Sequence, residues 1–146
     1  MYAKILVPLD GSARAERILT HVEQMARSFG SNVILLRVVE PIVTVSSADV
    51  FVPVTDSFSA KLEQAQVYLN DLKRRLQEKR IDAETRVIGS TIVDAICEAA
   101  ELEKVDLIAM ASHGRTGAAR VFYGSVAAGV LHRVDRPLLI IRSRED

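Results

Sequence analysis

Val105-Asp106-Leu107-Ile108-Ala109-Met110-Ala111 runs without a break into Ser112-His113-Gly114-Arg115-Thr116-Gly117. The first half is apolar at almost every position and shows little of the alternation of a half-solvated strand. Such a run suits a strand covered on both faces, as in a parallel sheet. The second half is small, flexible and basic, a turn leaving that strand. In open α/β sheets, ligands bind at the carboxyl ends of strands where the winding reverses. The turn after this strand is therefore the strongest local signal in the chain.

Four further β-rich runs accompany it: Lys4 to Leu9, Val33 to Val39, a weaker one at about Glu84 to Ile88, and Leu138 to Ile141. Helical stripes lie between them. Ala15, Ile18, Leu19, Val22, Met25, Ala26 and Phe29 draw one apolar face, with Ser12 as N-cap and Gly30 as stop. Leu62, Ala65, Leu69, Leu72 and Leu76 draw a second, and Ile92, Ala95, Ile96, Ala99 and Ala100 a third. The fourth is Val126, Ala127, Val130, Leu131 and Val134, ended by Arg136-Pro137. Gly129 inside it predicts close packing against the sheet. The order β-α-β-α-β-α-β-α-β predicts right-handed crossovers and helices on both faces of a parallel sheet. Residues 1–146 read as a single domain, and Glu40 to Ser59, which has no helical stripe, as one long loop.

Composition narrows the class. Among 146 residues, 19 Lys+Arg balance 19 Asp+Glu, so no whole-protein field attracts nucleic acid or an anionic membrane. The single cysteine, Cys97, cannot form an intrachain disulfide, and no Cys/His set has zinc spacing. No apolar run approaches the roughly 18 residues that span a bilayer. The first residues enter a strand-like run at once, with no basic leader. A cytoplasmic domain without membrane or nucleic-acid partners is the expectation.

The turns supply what phosphate recognition needs. Glycines let the backbone approach an oxyanion, and a helix start opened by Gly124-Ser125 adds unpaired N–H donors. Ser125 offers a hydroxyl and Arg115 a cationic fork. From Leu107 to Val134 the chain carries Arg115, Arg120 and Arg133 and no Asp or Glu, so neutrality conceals a local basic stretch. G-x-x-x-x-G-K-[ST] is absent, since Val130 stands where Lys is required, and so is G-x-G-x-x-G. No G-x-S-x-G elbow or paired base is legible around Ser112 or Ser125.

These segments resemble the single-domain universal stress proteins. The resemblance is carried by Ile5 to Ser12, by Asp106 through Gly117 to Gly124-Ser125-Val126-Ala127, and by Arg136 to Arg142. It implies a Rossmann-like fold of the adenine nucleotide alpha hydrolase-like type, an open five-stranded parallel sheet of order 3-2-1-4-5. It implies ATP as ligand, with Mg²⁺ arriving on the phosphates. Asp10 matches the acidic residue near ribose or metal, and Val38 the position whose backbone meets the adenine edge. Gly114, Arg115, Gly124, Ser125 and Val126 match phosphate-contacting positions, and His113 and Gly117 flank them. In the family's ATP-binding G-x-x-G motif the first glycine position is Ala111 here. At ordinary strand angles its methyl is tolerable; at left-handed angles the turn must shift.

The resemblance implies a nucleotide-dependent sensor or partner switch with slow ATP hydrolysis at most. Two readings stay open beside it: a universal stress protein that binds no nucleotide and acts through protein contacts, and a slow ATP-hydrolysing or nucleotidyl-transferring enzyme. In the order 3-2-1-4-5, Leu138 to Ile141 becomes an apolar edge, which predicts a two-fold homodimer by antiparallel pairing.

Overall fold

The apolar run Lys4–Leu9 forms β1, the middle strand of five. In the computed structural model, residues 1–41, 55–112 and 124–143 are described, with backbone alone at 55 and 56. After β1 come α1 (Ala13–Glu16), α2 (Ile18–Phe29), β2 (Asn32–Val39), α3 (Thr55–Glu78) and β3 (Ala83–Gly89). Then follow α4 (Ile92–Leu102), β4 (Leu107–Ser112), α5 (Ser125–Arg133) and β5 (Leu138–Arg142). All pairings are parallel and the order is β3-β2-β1-β4-β5.

Side-chain alternation along each buried strand divides the interior in two. Ile5, Val7, Val33, Leu35, Leu107 and Ala109 face one side and pack with Ile18 and Val22 of α2 and Leu69, Leu72 and Leu76 of α3. Leu6, Ile34, Leu36 and Ile108 face the other and pack with Ala95, Ile96 and Ala99 of α4 and Val130 of α5. Both faces are covered, so the strands lack polar alternation.

Several expectations change in detail. The helix read from Ala15 to Phe29 is interrupted at Arg17, whose N–H turns to the Arg14 carbonyl three residues back. Gly30 ends α2 at φ 65°, as its position suggests. Phe29, read as part of the core stripe, is 46% exposed and meets Tyr2 edge-on at 5.3 Å. The long loop is shorter than Glu40 to Ser59: α3 begins at Thr55, because a first helical turn needs polar N-terminal residues rather than an apolar stripe. Residues 42–54 of that loop lie outside the described residues.

β4 starts at Leu107, not Val105. Asp106 instead pairs across to Lys4, its N–H on the Lys4 carbonyl and its carboxylate under the Lys4 N–H, both at 2.9 Å. Leu131 is 54% exposed rather than core. Gly129 is tightly packed against α4, not against the sheet. A Cβ there would stand 2.9 Å from Val93 Cγ2, inside any real contact.

Candidate functional site

The order β3-β2-β1-β4-β5 sets the carboxyl ends of β2, β1 and β4 side by side, with the chain winding outward in opposite directions from β1. The described residues there line a cavity of about 330 Å³, within the size range of small-molecule sites. Pro8, Leu9 and Asp10 enter it from β1, Arg37 and Val38 from β2, and Met110, Ala111 and Ser112 from β4. Gly124, Ser125, Val126 and Ala127 close it with the first turn of α5. Six expected site residues therefore meet in one place: Asp10, Val38, Ala111, Gly124, Ser125 and Val126. His113, Gly114, Arg115 and Gly117 lie outside the described residues.

The β1 turn is built by its own side chains. Gly11 sits at φ 88°, a left-handed conformation that glycine adopts without strain. Asp10 Oδ1 accepts the Ser12 N–H at 2.8 Å and the Ser12 hydroxyl at 2.6 Å. Ser12 Oγ in turn accepts the Ala15 N–H at 3.1 Å and caps α1. The cap is thus Ser12, and Asp10 holds it in place at the mouth of the cavity.

Ala111 answers the question its sequence leaves open. It lies within β4 opposite Ile141 and keeps a negative φ. Glycine's freedom is not needed there, and one methyl joins the cavity wall. The glycine that is needed is Gly124. At φ 81° and ψ 149° it occupies a region that residues with a Cβ avoid, and it starts α5 without a side-chain cap. The first N–H groups of α5 therefore lie at the cavity wall with no intrahelical acceptor.

Two cations went unread in the sequence. Arg14 and Arg37 line the cavity beside the single carboxylate Asp10, which leaves the described wall positive by 2 − 1 = 1 charge. Arg37 is the one charged residue in β2, and its Nη1 donates to the Val38 carbonyl at 2.6 Å. A lone charge inside an apolar strand was the available signal. Below the cavity, Tyr68 donates to Glu16 at 2.8 Å. Burial, then that hydrogen bond, push its hydroxyl pKa well above the ordinary range, so it stays a neutral phenol.

The opposite wall comes from α4. Ile92 and Ile96 supply apolar surface, and Glu40 from the end of β2 accepts the Ile92 N–H at 3.2 Å, capping that helix. Cys97 is half-buried, outside the cavity lining, with its thiol pKa raised chiefly by burial. Among the described residues no group of three His, Cys, Asp or Glu could hold a metal ion. No helix among them is long and apolar enough to cross a membrane.

A parallel α/β sheet with a helix N-terminus at its switch point defines a class of small-ligand binders. The sequence profile of the universal stress protein family matches residues 1–142, and the chain belongs to that family. Universal stress protein MJ0577 of Methanocaldococcus jannaschii is 28% identical over 158 residues, covering 99% of this chain and 97% of its own. Universal stress protein YxiE of Bacillus subtilis is 28% identical over 148 residues, covering 97% of this chain and all of its own. The solved structure of MJ0577 matches with a TM-score of 0.81 at 29% identity, over 100% of this chain and 99% of that one. A universal stress protein solved in complex with cAMP matches with a TM-score of 0.72 at 25% identity, over 98% of each chain.

Proposed function

We propose that this protein binds an adenine nucleotide, ATP in particular, in the cavity at the ends of β2, β1 and β4. The carrying observation is the meeting of Asp10, Val38, Ala111 and the open first turn of α5 around one cavity. The base lies toward Val38 and the ribose toward Asp10. The phosphates lie on the N–H groups opened by Gly124. Mg²⁺ comes with the phosphates, bound by them and by water more than by protein. The negative φ of Ala111 supports binding despite the missing first glycine of the family's motif. The adenine-nucleotide complex of a relative 25% identical to this chain supports the ligand class.

The protein acts as a nucleotide-dependent stress-response sensor or partner switch, and as a homodimer joined along β5. Hydrolysis is slow at most, since no G-x-S-x-G elbow or paired base is legible in the sequence around Ser112 or Ser125. Thermal unfolding with and without ATP and Mg²⁺ tests the reading. At 100 times its Kd, a ligand adds about 2.7 kcal/mol of stability, which raises the Tm of a domain of this size by roughly 5–10 °C. An unchanged Tm at millimolar ATP rejects it. Multiple-turnover phosphate release faster than about 1 s⁻¹ would make the protein an ordinary enzyme instead.

A further inference from the structure

α1 brings residues to the cavity wall but buries none of its own. It is one turn of four residues, and a lone helical turn does not hold itself in water. Yet Arg14 and Ala15 of this turn line the cavity, and its cap, Ser12, is bound to Asp10. Ala15 meets the core only in part. At the far end of the turn, Glu16 accepts the Tyr68 hydroxyl at 2.8 Å. Tyr68 stands on α3 and its ring packs against the core, so this end of the bond is fixed. Its phenol feels Asp10 and Glu16 as nearby negative charges and Arg37 as a nearby positive one, which places it beside the cavity. A hydroxyl donating to a carboxylate makes one of the stronger hydrogen bonds of a protein.

We propose that Tyr68 is a positioning residue for the cavity: by clamping Glu16 it fixes α1, and with it Arg14 and the Asp10–Ser12 turn, where a bound nucleotide meets them. The proposal rests on the reading of the cavity as an adenine-nucleotide site. Without the clamp α1 keeps its cap but tilts, and a ligand must then order it on binding, which lowers affinity. The charge of Glu16 alone acts in the opposite sense. An anion beside a site for an anion repels the ligand, so its removal would tighten binding. The clamp and the bare charge therefore predict opposite signs for the same substitution.

Calorimetric titration of the intact chain with ATP and Mg²⁺, at a temperature where every variant is folded, tests this. Tyr68→Phe and Glu16→Ala should each weaken binding about three- to ten-fold, and the double variant no more than either alone. Glu16→Gln removes the charge but keeps an acceptor for the hydroxyl, and should bind nearly as wild type does. Thr85→Val is the control. It removes the bond from Gln66 of α3 to β3, 3.0 Å long and outside the cavity lining, and should lower Tm without changing affinity. Tighter binding by Glu16→Ala overturns the proposal, and so does unchanged affinity in Tyr68→Phe. A loss in Glu16→Gln equal to that in Glu16→Ala overturns it as well. An equal loss in Thr85→Val does the same, by making Tyr68 a contact that only stabilises the fold. Glu16 lies outside the core, so Glu16→Ala carries the test if Tyr68→Phe folds poorly. If wild type does not bind ATP, the nucleotide reading itself fails and this proposal with it, a result set apart because the unmodified chain fails.

Discussion

Gly124, at φ 81° and ψ 149°, is the residue on which the α5 end of the cavity depends. Any side chain there must strain the backbone by about 1–3 kcal/mol or move the start of α5. Gly124→Ala should lower Tm by roughly 3–10 °C and weaken ATP binding more than stability alone explains. Gly30→Ala is the control. Gly30 is also left-handed, at φ 65°, but it stops α2 and does not line the cavity. It should cost a comparable 1–2 kcal/mol and leave nucleotide affinity unchanged. Equal effects of the two variants on binding, measured by titration calorimetry, would remove Gly124 from the site. Gly124 could be picked out in sequence because Gly-Ser before an apolar stripe is a helix start. Arg37 is marked in sequence only as a lone charge in an apolar strand, which says nothing about which neighbour or cavity it reaches.

At the scale of elements, the cavity's α4 and α5 walls are braced against each other. Thr91 donates to Asp94 at 2.6 Å at the start of α4, and Arg133 in the last turn of α5 donates to the same carboxylate. The Thr91 hydrogen bond first, then that of Arg133, hold the Asp94 carboxyl below its ordinary pKa of 3.8. A depressed acid stabilises the fold above its unfolded-state pKa and loses that contribution as pH falls through the folded value. Urea midpoints taken between about pH 5 and pH 2 should therefore fall more steeply for wild type than for Asp94→Asn. High salt should shrink the difference, because the group is exposed. Parallel slopes would mean that the brace adds nothing to stability. Gly129 belongs to the same joint: its missing Cβ lets α5 approach Val93 of α4. The sequence marked Gly129 as a close-packing point but placed the contact on the sheet, since helical period shows which residues are buried and not what covers them.

For the whole molecule, β5 is the edge strand, with Leu138–Ile141 half-buried. The Ile108 N–H donates to the Pro137 carbonyl, so the alternation of a ladder turns the main-chain groups of Leu138 and Ile140 outward. A second copy can pair with them. Light scattering at micromolar concentration is expected to give a dimer for wild type. Ile140→Pro removes an outward N–H while keeping the bonds to β4, an edge position where proline is tolerated, and should give a folded monomer. A monomeric wild type, or an unaltered dimer in Ile140→Pro, would exclude pairing along β5.

The alternation of elements, the burial of both sheet faces and the two turns that carry small residues are all legible in spacing along the chain. Pairs such as Val33 against Ile5 and Leu107 against Ile5 are long-range. Local pattern predicts a strand's existence but not its neighbours, so strand order came with the family resemblance and was settled by these pairings. Only the tertiary structure brought Asp10, Arg37, Val38 and Ala111 to one cavity and showed that Ala111 keeps an ordinary strand backbone. Those facts depend on which strands lie side by side and on torsion angles set by packing, and neither is encoded by residue type alone.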